Sequence, residues 1–382
     1  MRGTVTKRLT RAGRARWAYV FDLGKDKNGK RRQLTKSGFK TKGEAQAALD
    51  KARTEHLDKP ATPEEKIIPT FAAFFERYHS ECVARECSPK TVERTYELAQ
   101  YAVKLFGDAP IDALTAEQLT LAVNRLLDHG GRVTKQHPKG RPLAPKTVRH
   151  IAFLVQACLQ KAVDWDILLK NPMKAVKKPK VPRRRPRVVD RAGFDALLQE
   201  TAGLSVYPVI VLDNATGMRR GELAAVEWPD LDWDSGILEI SKSLEETKAG
   251  LRIKGTKSGE TRRIKIPEEV LEVLREHKRQ QDGQREIFGP GYANLNLIFA
   301  KPDGGYYSPD KLGTRIRAAM RKAGLTGVSL HSLRHSHASQ LLSNGAPITA
   351  VSDRLGHASP AITLYLFART ACRQRGDGEA LE

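Results

Sequence analysis

Two short segments place side chains that could grip a phosphate diester and drive its chemistry. Residues 215–222 contain Arg219, and residues 331–335 contain His331 and Arg334. Guanidinium groups match phosphate oxygens with paired donors and stay charged at any working pH. A histidine titrates near neutral pH and can act as a general acid or base. Together the segments predict a phosphate-binding site with acid–base chemistry.

Two further residues extend this set, Lys257 and His357. Cleaving a phosphodiester without a metal needs cationic donors, an acid for the leaving oxygen and a nucleophile. Lys257 is a candidate for this chemistry, although Lys254 and Lys265 lie nearby and a solvated lysine is the competing interpretation. None of these residues is an obvious nucleophile.

The sequence predicts no metal and no other cofactor. Acidic residues form no cluster with metal-ligand spacing, and no Gly-rich phosphate loop ending in GKS or GKT is present. The four cysteines show no CxxC spacing, which disfavours both a zinc site and a disulfide framework. We therefore expect reduced thiols in a cytosol.

The charge balance predicts a polyanionic partner. The 382 residues include 66 Lys and Arg against 44 Asp and Glu, a net charge of +22. This excess favours nucleic acid. A membrane partner is disfavoured, because no apolar run approaches the length of a span and no basic amphipathic helix stands out. The N-terminus has no apolar core of a secretory signal.

Residues 1–59 are the most basic region, with 17 Lys and Arg against 6 Asp and Glu. Residues 17–23 alternate as a strand does, 26–29 indicate a turn and 31–39 a return strand. A capping-box pattern at Thr41 then predicts a helix to about residue 56. A basic β-ribbon fits a DNA groove, whereas a solvated hairpin is the alternative. The candidate DNA contacts are Arg16, Lys30, Arg31, Arg32 and Lys36.

Helical signals dominate residues 66–176. Ser88 followed by Pro89 predicts a helix start, as do a capping-box pattern at Thr115 and Pro145. We expect a bundle of four or five helices whose basic tips, such as Lys146 and Arg149, lie on a DNA backbone. The aromatic and aliphatic stripes inside these helices are core.

Residues 177–187 are predicted to be a basic linker. The wider stretch 174–187 contains eight basic residues, three prolines and no acid, so it cannot bury a core. A strap across a duplex explains its position, and a nuclear-localisation signal is the alternative. The residues that would contact DNA here are Arg183, Arg184 and Arg185.

Residues 188–382 form the third predicted unit. Short strands are expected at 237–240, 251–253 and 262–266, and a helix from Pro267 to about Gln281. The whole chain is therefore predicted to be a multidomain α+β protein. It has a small N-terminal three-stranded sheet plus a helix, a helical bundle, and a mainly α domain with a small antiparallel sheet.

The motifs in this third unit resemble those of the tyrosine recombinases, the phage and mobile-element integrases. The family pattern TGxRxxE is matched at residues 216–222, HxLRH at 331–335 and LGH at 355–357, and the lysine setting T-K-S/T-G at 256–259. Each motif alone is weak, but all four in this order are specific. The three-unit layout also resembles the arm-binding, core-binding and catalytic domains of one family subclass, so the likeness covers nearly the whole chain.

The resemblance implies a role for each site residue. Arg219 and Arg334 would clamp the scissile phosphate, and Lys257 would protonate the departing 5′ oxygen. His331 would act as a general acid and base, and His357 would donate to a phosphate oxygen. We expect Glu222 to orient an arginine, and His335 and His337 to be packing or hydrogen-bonding residues.

The nucleophile position departs from the family pattern. The family tyrosine follows the LGH histidine by nine or ten positions, and the match to I-T-L-x-x-Y-A-H places Phe367 there. Two explanations compete. A Tyr→Phe change would trap an uncleaved DNA complex, or a shifted register would make Tyr365 the nucleophile. Residues two apart on a helix point about 200° apart, so Tyr365 could not replace residue 367 without rearrangement.

The resemblance implies a site-specific DNA recombinase that cleaves and rejoins DNA through a 3′-phosphotyrosine link, trapped inactive here by Phe367. Its partners would be double-stranded DNA at core and arm sites, a homo-tetramer on two duplexes, and a directionality factor or host DNA-bending protein. It would act in the bacterial cytoplasm, at the nucleoid. The alternatives are a catalytically silent DNA-binding or architectural protein and a type IB topoisomerase-like enzyme.

Overall fold

The structure is a computed structural model, and it divides the chain into two compact units, Met1–Pro69 and Thr70–Glu382. The described residues are 3–9, 15–25, 31–57, 68–182, 187–256 and 261–365. Several predicted features lie outside them, namely the turn at 26–29, Lys30, Arg183, Arg184, Arg185, Lys257 and Phe367. The divisions at 176 and 187, inside the second unit, stay predictions.

The first unit is an antiparallel sheet covered on one face by a helix. Its elements are β1 (Gly3–Leu9), β2 (Ala15–Lys25), β3 (Arg31–Phe39) and α1 (Lys42–Leu57). The strand order is β1-β2-β3. Tyr19 and Phe21 pack on Leu49 and Ala52 of the helix, as the alternation of apolar residues predicted. This confirms the N-terminal three-stranded sheet with one helix.

The second unit begins with helices packed around aromatic side chains. These are α2 (Phe71–Tyr78), continued by a π-turn (His79–Val83) and α3 (Ala84–Glu86), then α4 (Pro89–Phe106), α5 (Ala116–His129) and α6 (Pro145–Asp164). Phe71 meets the Phe106 ring at 4.8 Å between centroids, and Phe74 meets Trp165 at 5.7 Å. The predicted capping box forms, since Thr115 Oγ1 accepts from the amide of Gln118 at 3.2 Å.

The rest of the second unit is mainly helical, with two small antiparallel sheets. Its helices are α7 (Arg191–Thr201), α8 (Tyr207–Thr216), α9 (Arg220–Leu223), α10 (Glu268–Phe288), α11 (Pro309–Lys322), α12 (Leu330–Ser343) and α13 (Ile348–Leu355). Its strands are β4 (Leu231–Asp232), β5 (Ile237–Ile240), β6 (Lys242–Thr247), β7 (Gly250–Gly255) and β8 (Arg262–Lys265). One sheet has the order β4-β5-β8, and β6 and β7 form a hairpin. The α+β class is confirmed.

Helix α10 runs farther than predicted, to Phe288 rather than Gln281. The extra turns carry few apolar residues, so the hydrophobic pattern did not show them. Close ion pairs such as Lys278 with Asp282, at 3.0 Å, support the exposed face instead. Gly289, at φ 58°, ends the helix.

Candidate active site

A tight turn after α8 places Arg219. Helix α8 ends at Gly217, whose φ of 62° lies in the left-handed region that favours glycine. A Cβ there would come within 2.7 Å of Leu355 and 3.0 Å of His337, so the turn also needs the smallest residue for space. The chain then becomes extended, and Arg219 precedes the first turn of α9. Two requirements of one glycine therefore fix where Arg219 leaves the backbone.

Arg334 lies beneath this turn on α12, with only 2% of its surface exposed. Its Nη1 donates to the carbonyl of Gly217 and its Nη2 to that of Leu355, both at 2.6 Å. Burial lowers the pKa of Arg334 to about 9, and repulsion from Arg219 adds to this. The group remains a cation at neutral pH, held by the ends of two helices.

Arg219 is fixed by a buried carboxylate and a second glycine. Its Nη1 donates to Glu222 at 2.8 Å, and its Nη2 donates to the carbonyl of Gly356. Glu222 is 1% exposed. Burial disfavours its charged form, but hydrogen bonds and attraction from Arg262 and hydrogen bonds from Arg219 outweigh this and lower its pKa. The expected orienting role of Glu222 therefore has a direct contact behind it.

The predicted histidines lie close to the two arginines. The rings of His331 and His335 meet edge to face at 4.2 Å, and Nδ1 of His357 lies 2.8 Å from Oγ1 of the buried Thr363. Burial lowers the pKa of His331, and that of His357 to about 4, with repulsion from the arginines as the second cause. Both imidazoles are thus neutral at pH 7.

A cleft of about 1160 Å³ brings these side chains to one surface. Arg219, His331, Arg334 and His357 line it, and so does Tyr365. Residues 360–365 are helical, and 53% of the Tyr365 surface is exposed. The position of the alternative nucleophile is therefore known, whereas Lys257 and Phe367 lie outside the described residues.

The helical bundle and the β6–β7 hairpin also line the cleft. Lys90 on α4 lines the cleft and donates from Nζ to the carbonyl of Glu246 at 2.6 Å. Beside it, the amide of Lys248 donates to a carboxylate oxygen of Glu93 at 2.5 Å. The bundle and the hairpin are thus in direct contact beside the cleft.

Sequence reasoning missed three residues around the arginines. Arg262 donates to both oxygens of Glu222, and Thr363 contacts His357. Asp213 is fully buried, and neither of its carboxylate oxygens has a hydrogen-bond partner among the described residues. Burial raises the pKa of Asp213 well above its usual value, opposed by Arg334. Only a buried polar position on an apolar helix could have signalled Asp213, while Arg262 sits in a basic stretch that hid it.

The predicted DNA-binding residues lie on different surfaces. In the first unit, Arg16 is directly opposite Arg8, and strand alternation puts both on the face without α1. Lys36 is opposite Tyr19, so it and Arg32 lie along β3 on the side that carries α1. In the second unit, Lys146 is exposed at the start of α6 and Arg149 is partly buried one turn later.

No group of three or more His, Cys, Asp or Glu side chains among the described residues is placed to hold a metal ion. Within the same ranges, every helix is too short or too polar to cross a bilayer.

Comparison with known proteins gives matches over most of the chain. Residues 194–371 match the phage integrase family, and residues 6–55 match an arm DNA-binding domain. A tyrosine recombinase XerC-like protein of Caldanaerobacter subterraneus is 23% identical over 95% of this chain and 94% of its own. The Tn1549 transposon integrase, solved with circular intermediate DNA, has a TM-score of 0.64 at 20% identity, covering 80% of this chain and 99% of its own. A lambda integrase tetramer bound to a Holliday junction has a TM-score of 0.57 at 17% identity, covering 93% and 96%.

Proposed function

The chain belongs to the tyrosine recombinases of the phage integrase type, and we propose that its cleft holds the scissile phosphate of a DNA duplex for site-specific strand exchange. One observation carries this proposal. Arg219, His331, Arg334 and His357 come from three separate segments of the sequence and line one cleft. The local structure of each segment does not by itself require these four residues to lie together.

The two arginines would neutralise the phosphate. Both are held by carbonyl or carboxylate oxygens, so their geometry exists before DNA enters the cleft. Donors that are already fixed in a partly buried site stabilise the charge of a pentavalent transition state without having to reorganise. Arg334 is the more buried of the two, and the lower local dielectric makes its attraction for the phosphate stronger.

The histidines would supply hydrogen bonds and proton transfer. A neutral imidazole has one donor and one acceptor nitrogen, so His331 can take a proton and return it within one cycle. His357, with Nδ1 on Thr363, would use its other nitrogen toward the phosphate. A bound phosphate monoanion would favour the protonated rings and raise both pKa values.

The covalent step would follow the family chemistry. A tyrosine hydroxyl gives its proton to His331 as its oxygen attacks phosphorus, the bond between phosphorus and the 5′ oxygen breaks, and Lys257 gives that oxygen a proton. The products are a 3′-phosphotyrosine link and a free 5′-hydroxyl, and the hydroxyl of the partner strand reverses the step. The energy of the broken bond stays in the link, so no nucleotide cofactor is needed. With Phe367 at the nucleophile position, the chain as written would hold the phosphate without cutting it.

The partners follow from the same proposal. The basic sheet of residues 1–59 would bind arm-type DNA, and the remaining units would enclose a core site. The lambda integrase match is a tetramer on a Holliday junction. We infer the same assembly here, on two duplexes in the bacterial cytoplasm at the nucleoid. A directionality factor or a DNA-bending host protein would select the direction of recombination.

A second candidate is a catalytically silent DNA-binding protein, which Phe367 favours. Such a protein would keep the basic surfaces and the phosphate grip and use them for architecture. The two candidates differ in one respect. Restoring a tyrosine at position 367 gives a cleaving enzyme only if the rest of the site is competent.

The experiment starts from a duplex selected by the purified chain out of a random-sequence library. That duplex is rebuilt as a set of nicked versions, so that a cleaved end is lost and the covalent link accumulates. We expect binding by the chain as written and a denaturant-resistant adduct with Phe367→Tyr. Adding Arg334→Lys to that variant removes the paired donors and should slow adduct formation about 100-fold or more. Binding without any adduct from Phe367→Tyr would leave the silent protein as the function.

A further inference from the structure

Three consecutive carbonyls at the end of α13 each accept a hydrogen bond from a different arginine. Nε of Arg262 donates to Arg354 O at 2.9 Å, Nη2 of Arg334 donates to Leu355 O at 2.6 Å, and Nη2 of Arg219 donates to Gly356 O. The last carbonyls of a helix have no intrahelical partners and carry the negative end of its dipole. His357 follows at once, so this turn seats three cations and a histidine together.

Arg262 also completes the coordination of Glu222. Its Nη1 and Nη2 donate to the two carboxylate oxygens at 3.1 and 2.6 Å. Arg219 donates to the same oxygens from its amide and its Nη1, each at 2.8 Å. Four donors match the four acceptor positions of one carboxylate. Glu222 is therefore saturated by two arginines from different segments, through three guanidinium donors and the backbone amide of Arg219.

This arrangement limits what Glu222 can do to Arg219. If Arg219 were its only cationic partner, the buried carboxylate of Glu222 would take up more of the hydrogen-bond donors of Arg219. Because Arg262 takes half of the acceptor positions, Arg219 retains donors for the cleft. Arg262 itself has only 8% of its side chain exposed and is not among the residues that line the cleft. We therefore expect it to act through its neighbours rather than by contacting DNA.

We propose that Arg262 is a positioning residue for strand cleavage: it holds Glu222 and the 354–356 turn so that Arg219 and His357 face the scissile phosphate. This proposal rests on the proposed function of the cleft. It assigns a role to the first residue of β8, five positions after Lys257 in the sequence. Arg262 is thus connected to Arg219 through Glu222. It also holds the carbonyl of Arg354, which is next to the Leu355 carbonyl that Arg334 holds.

The test compares Arg262→Met with Arg263→Met in the Phe367→Tyr protein, on the selected nicked duplex. Arg263 is the matched control because it is the next residue on β8, and its exposed side chain pairs with Glu239 at 3.0 Å. We expect Arg262→Met to slow adduct formation at saturating DNA by about 100-fold, as loss of one fixed donor does, with binding weakened less than about fivefold. Arg263→Met should stay within about twofold in both measurements.

A rescue separates positioning from a general loss of packing. In Arg262→Met the carboxylate keeps its charge with one partner, so adding Glu222→Gln removes that charge and should recover about tenfold of the rate. A purely structural role predicts instead that the second change lowers the rate further. Equal rates for Arg262→Met and Arg263→Met in folded proteins would overturn the proposal.

A measurement without DNA keeps this proposal separate from the proposed function. The imidazole of His357 is followed by NMR during a pH titration of the full chain and of both arginine variants. Repulsion from Arg219 contributes to the low pKa of His357. If Arg262→Met releases Arg219 from the turn, the pKa of His357 moves upward, while Arg263→Met leaves it in place. Identical titrations would sink the assignment of Arg262 even if no variant cleaves DNA.

Discussion

Arg334 donates a 2.6 Å hydrogen bond to the carbonyl of Gly217, across 117 residues of sequence. The bond joins the two motifs that the sequence places far apart, and it explains why a glycine stands in the first of them. The carbonyl can point at the guanidinium only because Gly217 adopts a positive φ and has no Cβ to meet Leu355. The turn and the arginine are therefore one structural unit.

Replacing Gly217 with alanine should destabilise the protein more than the same change at Gly203. Both glycines have positive φ, 62° and 73°, but only at Gly217 would a Cβ meet neighbours within 4 Å. We expect Gly203→Ala to cost about 1 kcal/mol for the left-handed backbone. Gly217→Ala should cost roughly 1–3 kcal/mol more for crowding. Urea denaturation of the two variants gives both values, and equal costs would show that the turn relaxes without strain.

The identity of the nucleophile is tested by two tyrosine positions. We expect Phe367→Tyr to gain a covalent DNA adduct, and Tyr365→Phe added to it to retain the adduct, because residues two apart on a helix face different directions. The adduct is counted by denaturing gel electrophoresis. Adduct formation by the chain as written, lost on Tyr365→Phe, would instead make Tyr365 the nucleophile, a result for which its exposure in the cleft leaves room.

Stability should fall on the acid side, in part through His337. This histidine is 6% exposed and accepts from Nε of Arg354 at 3.2 Å. Burial, with repulsion from Arg354, lowers its pKa to about 4 from the usual 6.5. Between these values the unfolded chain binds a proton that the folded chain does not. The free energy of unfolding is therefore fully present above pH 6.5 and decreases as pH falls toward 4, by roughly 3 kcal/mol for one such group.

The measurement is the free energy of unfolding at pH 7 and pH 4.5, in the unsubstituted chain and in His337→Gln. Glutamine can still accept from Arg354 but does not titrate, so its loss between the two pH values should be smaller. The exposed His150→Gln serves as the control. Indistinguishable pH dependence of His337→Gln and the unsubstituted chain would rule out this origin of acid sensitivity.

Acidic side chains of α4 beside the hairpin should slow the association of DNA with the protein. Glu93 holds the amide of Lys248, and Glu97 lies 3.9 Å from its Nζ. Glu93→Gln removes an acidic charge near the cleft and weakens this contact. We expect association with a duplex of about 30 base pairs to become a few-fold faster, because the carboxylate of Glu93 no longer repels the phosphate backbone. Stopped-flow anisotropy measures the rate, and the exposed Glu117→Gln on α5 is the control.

The sequence was most informative where local chemistry dictates structure. The helix starts at Thr115 and Pro145 and the alternation of Tyr19 and Phe21 depend on neighbours along the chain, and each appeared as expected. The role of Arg262 could not be predicted, because it depends on a carboxylate 40 residues away and on the end of α13. Nor could the split of the basic residues between two faces of the N-terminal sheet, which is set by the strand register.

That split makes a last prediction about arm-type DNA binding. Arg8 and Arg16 lie opposite each other on the face without α1, which is the face able to enter a groove. Each phosphate contact contributes about 0.9 to the slope of log affinity against log salt. We therefore expect Arg8→Ala and Arg16→Ala each to reduce that slope by about one, for the full chain on a random-sequence duplex. Arg32→Ala and Lys36→Ala, on the side of α1, should change it less, and Lys51→Ala on α1 not at all. Larger losses from Arg32 and Lys36 than from Arg8 and Arg16 would mean that the edge strand β3, and not the open face, contacts the DNA.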